Sequence, residues 1–207
     1  TGPCNLVVLR GGTVGYSAAR IAAALGADVV VFDIDLERLR YINRVSHGTI
    51  RTIFSTPKNI SEHVSSADVV VGAVHVPGAR TQKVITGDIL GEMRKGTIVI
   101  DVAIDQGGSV EGIRSTTHRR PVYSAHGVAH YAVPNMPGIV GNTSSVSLSN
   151  GTYSYVLRLA NAGIDRAIRD DTGIATGVNT LNGHVTSKAV ADSLSLEYVA
   201  VEEALAG

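Results

Sequence analysis

Among its 207 residues the chain has one cysteine, Cys4. A lone thiol excludes a disulfide framework and fits a reducing, cytoplasmic setting. Charge of one sign is lacking too, since Lys plus Arg number 18 and so do Asp plus Glu. That balance supplies no basic face and argues against nucleic acid as a partner. No apolar run approaches the ~18 residues that a membrane span requires. The longest, 67–76, has the length of a buried strand and is interrupted by polar residues, so no membrane partner is expected. The amino end lacks the pattern of a secretion signal, and the sequons at Asn59, Asn142 and Asn150 are read as chance. Thr1 stands where an initiator Met would, which leads us to expect a piece of a longer protein. Repeats and low-complexity linkers are absent.

Over the first hundred residues, short apolar runs alternate with helical patterns, the rhythm of a parallel sheet with crossover helices. The runs lie at 5–9, 28–32, 49–54, 68–74 and 97–102, and they are rich in Val and Ile and nearly continuous, as strands buried on both faces should be. In the first helix Val14, Ala18, Ile21, Ala22 and Leu25 recur at helical spacing before Gly26 ends the pattern. Further helices are expected at 36–45, at 58–65 with Pro57 as opener, and at 89–94. PVYSA and GVAHYAV read as two more strands. From Asn142 a helical stretch runs to about Ala162, with a weak point at Gly151. VNTLNGHV reads as a hairpin turning at Asn182–Gly183, and two short helices finish the chain. The expected class is α/β: a Rossmann-like, doubly wound, mostly parallel sheet followed by a C-terminal helical segment. The boundary is set near Gly141.

The stretch LVVLRGGTVGYSAARI carries the chemistry. A helix amino terminus offers unpaired N–H donors and partial positive charge, which suit a pyrophosphate. In the G-x-G-x-x-G pattern the second glycine lets backbone approach phosphate and the third lets helix and strand pack closely. Gly12 and Gly15 fill these roles, with Thr13 and Val14 between them. The first glycine is replaced by Arg10, which either burdens a turn that needs an unusual backbone angle or lays its guanidinium against a phosphate. Asp33 follows about twenty residues after the turn, where an acid accepts from the adenine ribose. Ile34, next to it, is not a cation that would welcome a 2′-phosphate, so NAD is favoured over NADP.

Other candidates are weaker. His126 and His130 share a helical metal-ligand spacing, but Gly127 and the β-rich run argue against a helix, and no Cys or carboxylate partner stands near. No metal is expected. DIDLER begins like a calcium loop and lacks its glycine and terminal Glu. Asp101 falls within the fifth strand and reads as structural, whereas Asp105 falls just beyond it, where groups converge in an open parallel sheet.

IVIDVAIDQGG (98–108), HGVAHYAVPNMPG (126–138), VVGAVHVPGA (70–79), YVLRLANAG and GVNTLNGHVT, together with the glycine turn, closely resemble bacterial alanine dehydrogenases along essentially the whole chain. The transhydrogenase alpha subunit is a cousin whose counterparts of DQGG and NMPG differ. The resemblance implies an NAD-dependent oxidoreductase that interconverts alanine with pyruvate and ammonia. It further implies residues 1–141 as the NAD-binding Rossmann domain, and residues 142–207 as helices returning to a substrate domain that precedes them. That missing domain, or a partner chain, would carry the family's substrate-binding arginine and catalytic lysine and histidine. A small amino-acid or 2-oxo-acid substrate and a homo-oligomer, often a hexamer, are implied as well. Residue by residue, Gly12, Gly15 and Asp33 match the cofactor motif, and Arg38 and Ser55 flank the adenine end. Val74, His75 and Val76 line the path to the nicotinamide, with His75 where an aliphatic residue is usual. Asp105 and Asn135 match residues at the nicotinamide and substrate, with Met136 beside them. Arg10 departs from the family's small residue. Two alternatives stay open: a short homologue acting on another imine or oxo acid, and a non-catalytic NAD-binding module.

Overall fold

The structure, a computed structural model, describes residues 2–75 and 81–206. These fall into two compact units, one of residues 2–75 with Thr81–Met136 and one beginning at Pro137.

In the first unit the chain runs β1 (Asn5–Leu9), α1 (Thr13–Ala24), β2 (Asp28–Asp33), α2 (Leu36–Val45), β3 (Ile50–Phe54), α3 (Pro57–Val64), β4 (Val69–Gly72), α4 (Gly87–Glu92) and β5 (Ile98–Asp101). A 3-10 helix (Val102–Gln106) and an antiparallel hairpin, β6 (Val122–Ala125) and β7 (Val128–Tyr131), complete it. The seven strands are ordered β3-β2-β1-β4-β5-β7-β6, and every pairing except β6–β7 is parallel. The apolar runs become central strands because side chains alternate between two covered faces. Val7, Val30, Val70 and Val99 point to one face and pack with Ile60, Val64 and Leu90 of α3 and α4. Val8, Val29, Val31 and Val71 point to the other, towards Ala19 of α1 and Ile42 of α2.

Several expected boundaries move for identifiable reasons. The first helix does not bury its large apolar residues: Val14, Ile21 and Leu25 are all exposed, and the buried positions are Gly15 and Ala19. Only small residues fit between this helix and the sheet, since a Cβ on Gly15 would stand 2.0 Å from the Arg10 carbonyl oxygen. The fifth strand stops at Asp101 because that side chain accepts from the Ala103 amide and starts the 3-10 helix. The fourth helix begins at Gly87, earlier than expected, because Thr86 caps it. At the β6–β7 turn His126 and Gly127 both have positive φ, 54° and 76°, the geometry of a two-residue hairpin loop.

The second unit holds α5 (Gly141–Ala162), α6 (Ile164–Asp170), α7 (Thr172–Thr176), the hairpin β8 (Thr180–Leu181) and β9 (His184–Val185), α8 (Lys188–Leu194) and α9 (Val201–Ala204). The weak point at Gly151 does not break α5, since one interior glycine costs only about 1 kcal/mol. The hairpin turns at Asn182–Gly183 as expected, with φ 49° and 82°. The short helices α6 and α7 are not anticipated by the apolar pattern; Asp171 caps α7 by accepting from the Gly173 and Ile174 amides. Among the described residues no helix is long and apolar enough to cross a membrane.

One buried group has a measurable consequence. His130, on β7, is 2% exposed and stacks on Tyr123 with ring centroids 4.9 Å apart, and among the described residues neither ring nitrogen has a well-formed hydrogen bond. Burial pushes its pKa below the usual 6.5, and His126 adds to the effect. The unfolded chain therefore binds this proton more readily than the folded one, so stability contributed by neutral His130 is present above pH 6.5 and is lost as pH falls below it. We predict that His130→Phe reduces the drop in denaturant midpoint between pH 7.5 and pH 5. An unchanged drop would show that other groups govern the acid limb.

Candidate functional site

The carboxyl ends of β1 and β4 are neighbours, and the helices that follow them pack on opposite faces of the sheet. This is the switch point of a doubly wound sheet, where a crevice opens. Gly12, the residue before α1, has no side chain to cap the helix, and no acidic residue lies in the first turn. Helices α2, α3 and α4 are each capped, by Asp35, Thr56 and Thr86. Among the described residues nothing caps the amides at the start of α1, and a Cβ built on Gly12 meets no described atom within 4 Å. Open amides, dipole and free space together make a cradle for an anion.

The turn that carries the cradle is pinned at Gly11. Its N–H donates to Asp33 Oδ2 at 2.8 Å, and its carbonyl accepts from Arg38 Nε. A Cβ at Gly11 would sit 2.5 Å from Ile42 Cδ1, so no larger residue fits. Asp33, the last residue of β2, also accepts from the Asp35 amide at 3.0 Å and is buried. The Arg38 guanidinium lies 5.7 Å from the Tyr16 ring centre and 5.1 Å from that of Tyr41. Two aromatic faces fix its direction. Ser55, at the end of β3, is half-buried and its N–H donates to the Asp33 carbonyl at 2.9 Å. Asp33, Arg38 and Ser55 therefore gather at one corner, beside the turn.

Arg10 adopts φ 79°, the left-handed region, which costs a non-glycine residue about 1–2 kcal/mol. The turn does need the unusual angle that the missing glycine would have supplied. Its guanidinium donates to the carbonyl oxygen of His75, which is exposed. Val74 is partly buried against the core. Val76 lies outside the described residues. Thr13 and Val14 are exposed on the first turn of α1, beside Gly15.

At the end of β5 the device seen at Asp33 recurs. Asp101, fully buried, accepts from Ala103 N at 3.0 Å, Ser109 N at 2.7 Å and Ser109 Oγ at 3.1 Å. Burial raises its pKa, and these hydrogen bonds oppose the rise. In both cases a strand-terminal Asp binds the amide two residues on and holds a glycine-bearing loop with its other oxygen. Gly72 and Gly108 crowd the network: a Cβ on Gly72 would lie 2.2 Å from Ser109 Oγ, and one on Gly108 would lie 2.9 Å from Asp101 Oδ2. Lys83 donates to the Gly108 carbonyl at 2.9 Å and to that of Gly107. The loop so held displays Asp105, which is exposed, and Asn135 N donates to Asp105 Oδ2 at 3.4 Å. Asn135 is exposed at φ 52°, and half-buried Met136 follows it. The structure thus gathers Gly12 to Gly15, Asp33, Arg38 and Ser55 around the glycine turn, and Asp105 with Asn135 at the end of β5. His130 is buried and His126 is exposed in a hairpin turn. The sequence reading did not single out Tyr16, Tyr41, Lys83 and Ser109. The two tyrosines stand at helix positions whose proximity depends on the α1–α2 packing, and Lys83 and Ser109 are loop residues with no periodic signal.

A doubly wound sheet with an open, glycine-lined amide cradle at its switch point defines a dinucleotide-binding domain. The family model described as "Alanine dehydrogenase/PNT, C-terminal domain" matches residues 1–188. The chain belongs to this family, of which it is the NAD-binding domain. It is 45% identical over 202 residues to the alanine dehydrogenase of Bacillus subtilis (strain 168), covering 97% of this chain and 53% of that protein. It is likewise 45% identical to alanine dehydrogenase 2 of Staphylococcus aureus (strain USA300), covering 97% of this chain and 54% of that protein. A solved L-alanine dehydrogenase superposes with a TM-score of 0.83 at 39% identity, over 94% of this chain and 54% of that one. A transhydrogenase from Sinorhizobium meliloti shares the fold, with a TM-score of 0.67 at 22% identity over 75% of this chain and 44% of that one. The chain spans about half the length of the curated relatives it matches.

The two supports of the Asp105 loop should differ in weight. Asp101→Ala strands three buried donors and is predicted to cost about 3 kcal/mol of unfolding free energy. Lys83→Met removes an exposed donor side chain from the carbonyls of exposed Gly107 and buried Gly108, a smaller loss than three stranded buried donors, and should cost about 1 kcal/mol. Denaturant unfolding of both variants checks the order; equal losses would mean that the Asp101 network is not what holds the loop.

Proposed function

We propose that this chain is the cofactor-holding part of an NAD-dependent oxidoreductase that interconverts L-alanine with pyruvate and ammonia. The observation that carries the reading is an uncapped α1 amino end, open at the switch point, in a chain 45% identical over 202 residues to an alanine dehydrogenase. When bound, NAD would supply reversible hydride-transfer chemistry at its nicotinamide. The amides of Thr13, Val14 and Gly15 hold the pyrophosphate. Asp33 already accepts one N–H on each oxygen, and each oxygen keeps a second acceptor position for ribose hydroxyls. Arg38 and Ser55 flank the adenine end. Val74 and His75 line the way to the nicotinamide; Val76, assigned with them, lies outside the described residues. Asp105 and Asn135, followed by Met136, act at the reacting end, where the Asp105 carboxylate accepts hydrogen bonds and orients the bound groups. Such orientation is what converts binding into rate.

The substrate must be held against the nicotinamide, which is the task of a substrate domain supplied in the same chain or by a partner. Residues 1–141 serve as the NAD-binding domain and 142–207 as helices that return to the substrate domain. This division is supported by α5, on which Val146, Leu148, Tyr153 and Val156 are all exposed. Assembly into a cytoplasmic homo-oligomer is part of the reading.

Titration by calorimetry should give NADH binding at least about tenfold tighter than NADPH, a gap of about 1.4 kcal/mol. The reason is that Asp33 repels a 2′-phosphate and Ile34 offers it no cation. Equal affinities would remove Asp33 from its role. The 207 residues alone should reduce pyruvate in the presence of ammonia barely or not at all, and joining them to a substrate domain should restore turnover. In that complete enzyme Asp105→Asn should lower kcat by at least about tenfold with NADH affinity kept. Brisk alanine formation by the 207 residues alone would instead locate a substrate site within them.

A further inference from the structure

Arg10 stands at the one position of the turn where the glycine pattern is broken, and it keeps the left-handed angle that glycine would adopt freely. Its N–H donates to the Phe32 carbonyl at 2.8 Å, and its carbonyl oxygen packs against Gly15. The side chain then crosses from the end of β1 to the segment after β4, where the guanidinium donates to the His75 carbonyl. Those two strands border the switch-point crevice. A guanidinium carries five N–H donors and a permanent charge, and the structure assigns one of them to His75. Among the described residues no carboxylate is paired to the guanidinium, and in sequence Arg10 stands two residues before Gly12 at the start of α1. Asp33, at the end of β2, accepts from the Gly11 and Asp35 amides and forms no ion pair with Arg10 among the described residues.

We infer that Arg10 is a pyrophosphate-binding residue of this chain: its guanidinium, braced across the crevice by the His75 carbonyl, adds a charge-assisted contact to the amide cradle. The inference rests on the NAD-binding reading and goes beyond it, because the glycine pattern supplies backbone donors alone. Charge-assisted contacts to phosphate oxygens are shorter and stronger than neutral ones, and an arginine can make two in parallel. The contact offsets the strain of the turn, so glycine at this position relaxes the backbone and still loses affinity.

The test titrates the wild-type chain, Arg10→Gly, Arg10→Met and Arg10→Lys with NADH, ADP-ribose and adenosine, following the first two by calorimetry and adenosine by ligand-observed NMR. Melting temperatures are measured alongside. We expect Arg10→Gly and Arg10→Met to weaken NADH and ADP-ribose by about tenfold or more, and to leave adenosine unchanged. Arg10→Lys should recover part of the loss. Raising salt should weaken NADH binding to wild type more steeply than to Arg10→Met, since the charge contact is screened. Arg10→Gly should melt no lower than wild type. NADH binding by Arg10→Gly and Arg10→Met at wild-type strength would overturn the inference while leaving the NAD reading intact. Parallel losses of NADH and adenosine would overturn it in favour of a purely structural strap. Failure of the wild-type chain to bind either NADH or ADP-ribose would overturn both.

Discussion

The contact on which the site depends is the approach of Gly15 to the Arg10 carbonyl, so close that a Cβ would stand 2.0 Å from the oxygen and 3.0 Å from Val8 Cγ1. Because there is no side chain at that point, α1 can start against the end of β1. Its first amides then face the crevice instead of being covered by a connecting loop. The same closeness explains why the helix meets the sheet through Gly15 and Ala19 while Val14 and Ile21 point outward. Packing and binding geometry are one constraint here, as the third glycine of such turns requires.

Around that contact, buried carboxylates act as fasteners for backbone. Asp33 and Asp101 each end a strand, each accept from the amide two residues on, and each reach to a second loop, Asp33 to Gly11 and Asp101 to Ser109. A buried acid is tolerated when donors surround it, and removing it leaves those donors unsatisfied. The arrangement separates two kinds of aspartate along one edge of the sheet. Asp33 and Asp101 are buried and hold the loops, and Asp105 is exposed on the loop that Asp101 holds. The placement of the exposed Asp105 therefore depends on a buried neighbour.

Much of this was legible in the residues. Near-continuous Val and Ile runs mark strands covered on both faces, and the glycine turn with Asp33 beyond it marks the corner where Asp33, Arg38 and Ser55 gather. What could not be read is whatever depends on packing between distant segments. The apolar spacing of Val14, Ile21 and Leu25 resembles a buried stripe, but close contact with the sheet selects the small residues instead. The cluster of Arg38 with Tyr16 and Tyr41, whose rings meet edge to face, joins two helices whose separation no pattern records. The support from Lys83 comes from a loop. Helices α6 and α7 escaped because each is too short to show a period, and only the capping role of Asp171 marks them.

Amide resonances of the isotopically labelled 207-residue chain during an NADH titration test the central claim most directly. If α1 opens an anion cradle at the switch point, the amides of Gly11 to Gly15 shift most, together with those around Asp33 and Asp105, while those of α8 and α9 stay in place. A titration that moves α5 to α9 and leaves the glycine turn unperturbed would contradict the account.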